Sequence, residues 1–121
     1  MLKNSNSKPY DLEERTFQFA KDVRMFVKTL KMTIANTEDT KQVVRSSGSS
    51  GSNYIEANES FSKKDFVFRI KICRKEAKES AYWLRLINET NRLENKQLAE
   101  SLIQEATELK KIFSAIIEKS K

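Results

Sequence analysis

Three features of this 121-residue chain predict an all-α fold, an antiparallel up-and-down four-helix bundle. Apolar residues recur at three- and four-residue spacing in four successive segments, the period of amphipathic helices. Lys, Glu, Leu, Ile and Arg are plentiful and there is a single proline, a composition that favours helix. The joins between segments, near 34–37, 59–61 and 88–91, are short enough to make consecutive helices antiparallel neighbours. No segment alternates as a strand does, and no stretch repeats closely enough to mark a duplication.

Residues 1–10 are polar, contain Pro9, and read as a flexible N-terminal arm ahead of a bundle domain at 11–121. From about Asp11 to Thr33, Phe19, Ala20, Val23, Phe26, Val27, Leu30 and then Ile34 fill one side of a helix. Lys21, Asp22, Arg24, Lys28 and Lys31 lie elsewhere. Phe17 falls off the stripe and is expected to serve a second contact. Asn36, with Asp39 three residues on, resembles a capping box for the next helix.

Residues 46–52, Ser-Ser-Gly-Ser-Ser-Gly-Ser, pull two ways. As a flexible linker they would separate two helical hairpins. As helix, the two glycines each cost about 1 kcal/mol, which close contact with a neighbouring helix must offset. The register of the flanking residues favours helix from about 38 to 58. Val43, Val44, Ser47, Ser50, Gly51, Tyr54 and Ile55 share one broad face, while Arg45, Ser49, Asn53 and Glu56 share the other. A random linker has no reason to keep that phase.

Ser62 and Asp65 form a cleaner capping box opening a long third helix, with Phe66, Ile70, Cys73, Ala77, Ser80, Leu84 and Ile87 as its inward stripe. A fourth helix, about 91–118, carries Leu98, Leu102, Ala106, Leu109, Phe113 and Ile116 on one face.

The formal charge is +6, the sign a polyanion requires. It concentrates between Lys63 and Lys78, where seven basic residues face only Asp65 and Glu76. Lys64, Lys71, Lys75 and Lys78 lie directly opposite the core stripe, with Arg74 alongside. Such a row could follow phosphates, form a solvated face, or pair with an acidic surface of another subunit. Phe68, Ile72, Tyr82, Trp83 and Leu86 fall partly or wholly outside the inward sector, which points to a subunit interface.

The chain contains no histidine, and Cys73 is its one cysteine. That excludes an internal disulfide, His-based acid–base catalysis, Cys-His nucleophiles and the common zinc sets. The Glu-x-x-His di-iron pattern is excluded as well. Glu56 with Glu59, and Glu76 with Glu79, remain as weakly spaced carboxylate pairs. No glycine-rich phosphate loop follows a strand. No apolar run reaches membrane-spanning length and the N-terminus has no signal-peptide core, so a cytoplasmic protein without cofactor or metal is the expectation. Cys73, on the inward stripe, reads as a small core residue.

The segment from Gln42 to Glu59, with Gln42, Arg45-Ser46, Ser52-Asn53 and Glu56-Ala57, resembles the signature of the small four-helix-bundle proteins encoded in intervening sequences of bacterial large-subunit ribosomal RNA genes. Ser62-Lys63-Lys64-Asp65-Phe66 is similar to the start of that family's third helix. Glu76 through Leu84 is similar to its later part, with Glu79 and Leu84 at recurring positions. The resemblance covers roughly 12–118. It implies a continuous helix through the Ser/Gly segment and assembly into a ring-like homopentamer. A related branch, the accessory protein of diversity-generating retroelements, is basic, binds nucleic acid and associates with a reverse transcriptase. The expectation is a non-enzymatic oligomeric scaffold that binds RNA or structured nucleic acid, or else a structural or protein-interaction module without such a ligand.

Overall fold

The structure, a computed structural model, describes residues 11–121. The expected N-terminal arm lies outside the described residues. Four helices follow in order: α1 (Leu12–Val27), α2 (Ile34–Asn58), α3 (Lys63–Thr90) and α4 (Lys96–Lys119). Each packs on the next, and α1 also touches α4, while the diagonal pairs, α1 with α3 and α2 with α4, approach only through side chains in the core. That closed cycle of antiparallel neighbours is the predicted four-helix bundle. No helix among the described residues is long and apolar enough to cross a membrane.

The core is built from the predicted stripes. Phe19, Val23 and Phe26 of α1 meet Ile70, Cys73, Ala77, Leu84 and Ile87 of α3 and Ala106, Leu109 and Phe113 of α4 in one buried cluster. α2 contributes only Val43 and Ala57 as fully buried apolar residues. Its interior is otherwise Asn36, Thr40, Ser46, Ser47, Ser50 and Gly51, all buried. The Ser/Gly segment is therefore helix in mid-bundle, between α1 on one side and α3 on the other.

A Cβ on Gly51 would sit 2.9 Å from Thr16 Oγ1, so its bare Cα is what lets α1 come close. On the other side the Ser46 and Ser80 hydroxyls are 2.7 Å apart. Each hydroxyl also has a backbone acceptor, the Glu76 carbonyl at 2.9 Å for Ser80 and the Val43 carbonyl at 3.5 Å for Ser46, so either can donate to the other. Ser47 and Ser50 donate to carbonyls three residues back. Every buried hydroxyl is thus satisfied, which is why serine is tolerated here.

Five local expectations are corrected. α1 stops at Val27, not near Thr33, because Thr29 and Leu30 switch to tighter i→i+3 bonds with Phe26 and Val27. Leu30 is nonetheless buried, but Ile34, expected on the stripe, is 89% exposed. Thr33, not Asn36, caps α2: its side chain accepts from the Asn36 amide at 3.1 Å. Asn36 is buried, and its side chain donates to the Lys31 carbonyl and exchanges hydrogen bonds with Asn91. α4 begins at Lys96, capped by Asn95, five residues later than expected. Ile55, placed on the inward face, is 48% exposed, because the inner face of α2 turns through Ser50, Gly51 and Ala57 instead.

Candidate nucleic-acid interface

α3 is the longest helix, at 28 residues, and Ser62 opens it by accepting from the Asp65 amide. Its inner side is fixed by Ile70, Cys73, Ala77, Ser80, Leu84 and Ile87, all buried, and that fixes what its outer side presents. Lys64, Lys71, Lys75 and Lys78 are all exposed there, with Arg74 half-buried beside them. At 1.5 Å per residue the row spans roughly 21 Å. None of these five cations lies within 4.0 Å of a carboxylate among the described residues. The helix dipole adds partial positive charge at the Lys64 end.

The aromatic and apolar set divides. Phe68 and Tyr82 are 61% and 56% exposed. Both fall within about 50° of the centre of the lysine row on a 100°-per-residue wheel, so they are interleaved with the lysines. Ile72 and Trp83 lie further round, on the side of α3 that turns towards α2, and are half-buried, as is Leu86. Trp83 packs against the core and meets Tyr82 edge to face, with ring centroids 5.1 Å apart. Its buried indole N–H has no partner among the described residues.

The polar face of α2 is shared between α3 and solvent. Arg45 donates to both carboxylate oxygens of Glu76, at 3.2 and 3.3 Å, and to Glu79 at 3.4 Å. Glu76 is 5% exposed. Its hydrogen bond raises the Arg45 pKa, against the opposing effect of burial. Asn53 donates to Ser49 and accepts from Arg69 at 2.9 Å. Two of the four signature residues, Arg45 and Asn53, thus form a seam that locks α2 to α3, with Ser49 holding Asn53 from within α2. The fourth, Glu56, is exposed.

Glu76 and Glu79 converge on a guanidinium, not on each other. Among the described residues no group of three or more His, Cys, Asp or Glu side chains is placed to hold a metal. Cys73 is buried, and desolvation pushes its thiol up to about 12. The buried role of Glu76 was missed in the sequence; its position between Cys73 and Ala77, at the edge of the apolar stripe, was the available signal. Asn91 and Arg69, which complete the Asn36 and Asn53 contacts, carried no signal of their own. A groove between α1 and α2, taken up below, was signalled only by Phe17 lying off the stripe.

The family model for the 23S rRNA-intervening sequence protein matches residues 9–115, almost the whole described bundle. The chain belongs to that family. Its fold also agrees with a crystal structure of a protein of unknown function from the S23 ribosomal protein family of Bacteroides thetaiotaomicron VPI-5482. The two share 31% identity over 88% of this chain and 97% of the other, with a TM-score of 0.76. No curated protein matches the chain. The family is thus shown by the sequence match, and the S23 structure shows the same helical architecture without a stated activity.

Proposed function

We propose that this intervening-sequence protein is a non-enzymatic cytoplasmic scaffold, assembled from identical copies as a homopentamer, that binds RNA along the outer face of α3. The observation that carries the reading is the mixture on that face: exposed Lys64, Lys71, Lys75 and Lys78, with no acidic partner among the described residues, interleaved with exposed Phe68 and Tyr82. Lysines along a helix attract a phosphate backbone by displacing its counterions. Aromatic rings supply planar surfaces on which unpaired bases stack, worth about 1–3 kcal/mol per base. Neither contact reads a base edge, so the expected binding is tolerant of sequence and favours loops and single strands over duplex.

A second reading rests on the same aromatics. Phe68, Ile72, Tyr82, Trp83 and Leu86 could instead seat against another copy, making α3 a structural contact with no nucleic-acid ligand. One experiment separates the two. Replacing Lys64, Lys71, Lys75 and Lys78 together by Gln should weaken binding to a single-stranded RNA and flatten its salt dependence. Phe68→Ala with Tyr82→Ala should weaken RNA binding at unchanged particle mass. A drop in mass with the aromatic pair, or RNA binding indifferent to the lysines, would favour the interface reading.

A further inference from the structure

α1 comes close to α2 at Gly48 and Gly51, where Arg24 and Thr16 face them, and an open groove of about 530 Å³ lies on their outer side. Its apolar lining comes from Phe17, Ala20, Met25 and Ile55. Three of these are large side chains left in water, with Phe17 62%, Met25 53% and Ile55 48% exposed. An apolar surface of this kind, rimmed by polar groups, is the mark of a docking site.

The rim is one-signed over most of its length. Lys21, Arg24 and Lys28 border the half nearest the α1–α2 turn. None of them is within 4.0 Å of a carboxylate among the described residues. Arg24 spends its donors on the Ala20 and Val44 carbonyls, which hold its guanidinium at the groove without neutralising it. Glu13 is the one acid in the lining, at the opposite end, and accepts from Asn58. From Glu13 to Lys28 the α1 wall runs roughly 22 Å, the length of a four-turn helix.

We propose that this groove receives an amphipathic helix of a partner protein, three to four turns long, with an apolar stripe and acidic residues flanking it. The stripe covers Phe17, Met25 and Ile55, and the acidic end lies at Lys21, Arg24 and Lys28, which sets the direction of docking. A second copy of this chain is a poor occupant through its α3 patch, because Lys71, Lys75 and Lys78 would come with it and meet the basic rim. The proposal is independent of the RNA reading, which uses the outer face of α3.

The test is calorimetric titration of the full-length protein with three synthetic 18-residue peptides. One carries a Leu stripe flanked by Glu; the second carries Lys in place of each Glu; the third is the Glu peptide with a central proline. The Glu peptide should bind at least tenfold more tightly than either control. Phe17→Glu, at an exposed position, should abolish that binding, and Lys21→Glu with Lys28→Glu should transfer the preference to the Lys peptide. Circular dichroism of each variant checks that the bundle is intact, and the charge-reversal pair keeps the test decisive if Phe17→Glu unfolds. No binding of the Glu peptide, equal binding of all three, or indifference to both substitutions would overturn the proposal. A Phe17→Glu protein of reduced particle mass would overturn it too, by showing that a second copy fills the groove.

Discussion

Gly48 and Gly51 lie three residues apart in the same helix, yet their surroundings predict opposite responses to alanine. A Cβ on Gly51 would meet the Thr16 Oγ1 at 2.9 Å and Cβ at 3.1 Å. Thr16 is buried and tied to the Leu12 carbonyl, so it cannot step aside cheaply. Gly51→Ala should therefore lower stability by about 1–3 kcal/mol despite the gain in helix propensity. At Gly48 the nearest atom is the Arg24 Nη2 at 3.2 Å, the far end of a flexible side chain. Gly48→Ala should be neutral or stabilise by up to about 1 kcal/mol. Urea unfolding of the two variants side by side checks both signs. Cys73 gives a second residue-level expectation. Its thiol is shifted from 9.0 to about 12 by burial, so the native protein should resist a thiol reagent at pH 8 and label only as it unfolds. The linkage has a definite sign. Below pH 9 the thiol is protonated in both states, and above it the unfolded chain ionises first. Its contribution to stability is therefore intact below about pH 9 and is lost as pH rises towards 12. Rapid labelling at pH 8 without unfolding would contradict the burial.

At the scale of elements, helix interiors were legible in the sequence and helix ends only in part: the Ser62 cap of α3 and the end of α2 were, while the end of α1 and the starts of α2 and α4 were not. The stripes of α3 and α4 carry large apolar residues at regular spacing, and every α3 position from Ile70 to Ile87 on the predicted stripe is buried. The helical state of 46–52 was legible too, because Arg45, Ser49 and Asn53 kept phase across it; what they do there was not. Side chains that meet across α2 and α3 are distant in sequence, and a polar residue on a helix looks alike whether it faces water or a guanidinium. The first turn was misread because Asn36 and Thr33 are both competent caps and only packing separates them. Thr33→Ala should cost about 1 kcal/mol, the usual loss of one cap. Asn36→Ala should cost more, about 2–3 kcal/mol, because it strips Asn91 and the Lys31 carbonyl of a partner at a buried site. Thermal unfolding that ranks Thr33→Ala as the more damaging would restore the original assignment.

At the scale of the whole molecule, the bundle leaves two outer surfaces that its own packing does not consume. One is the lysine–aromatic face of α3, and the other is the groove between α1 and α2. The polar seam of Arg45, Glu76, Asn53 and Arg69 holds α2 on α3, so the part of the chain that looked most like a signature does structural work. The basic row was legible from spacing alone; its mixing with Phe68 and Tyr82 emerges only when exposure separates those two from the half-buried Ile72, Trp83 and Leu86. Light scattering coupled to size-exclusion chromatography, run with and without a structured-RNA pool across a salt series, tests the central claim most directly. The account predicts a particle of five chains that gains RNA mass at low and physiological salt and sheds it as salt rises. A particle that stays free of RNA even at the lowest salt would contradict it.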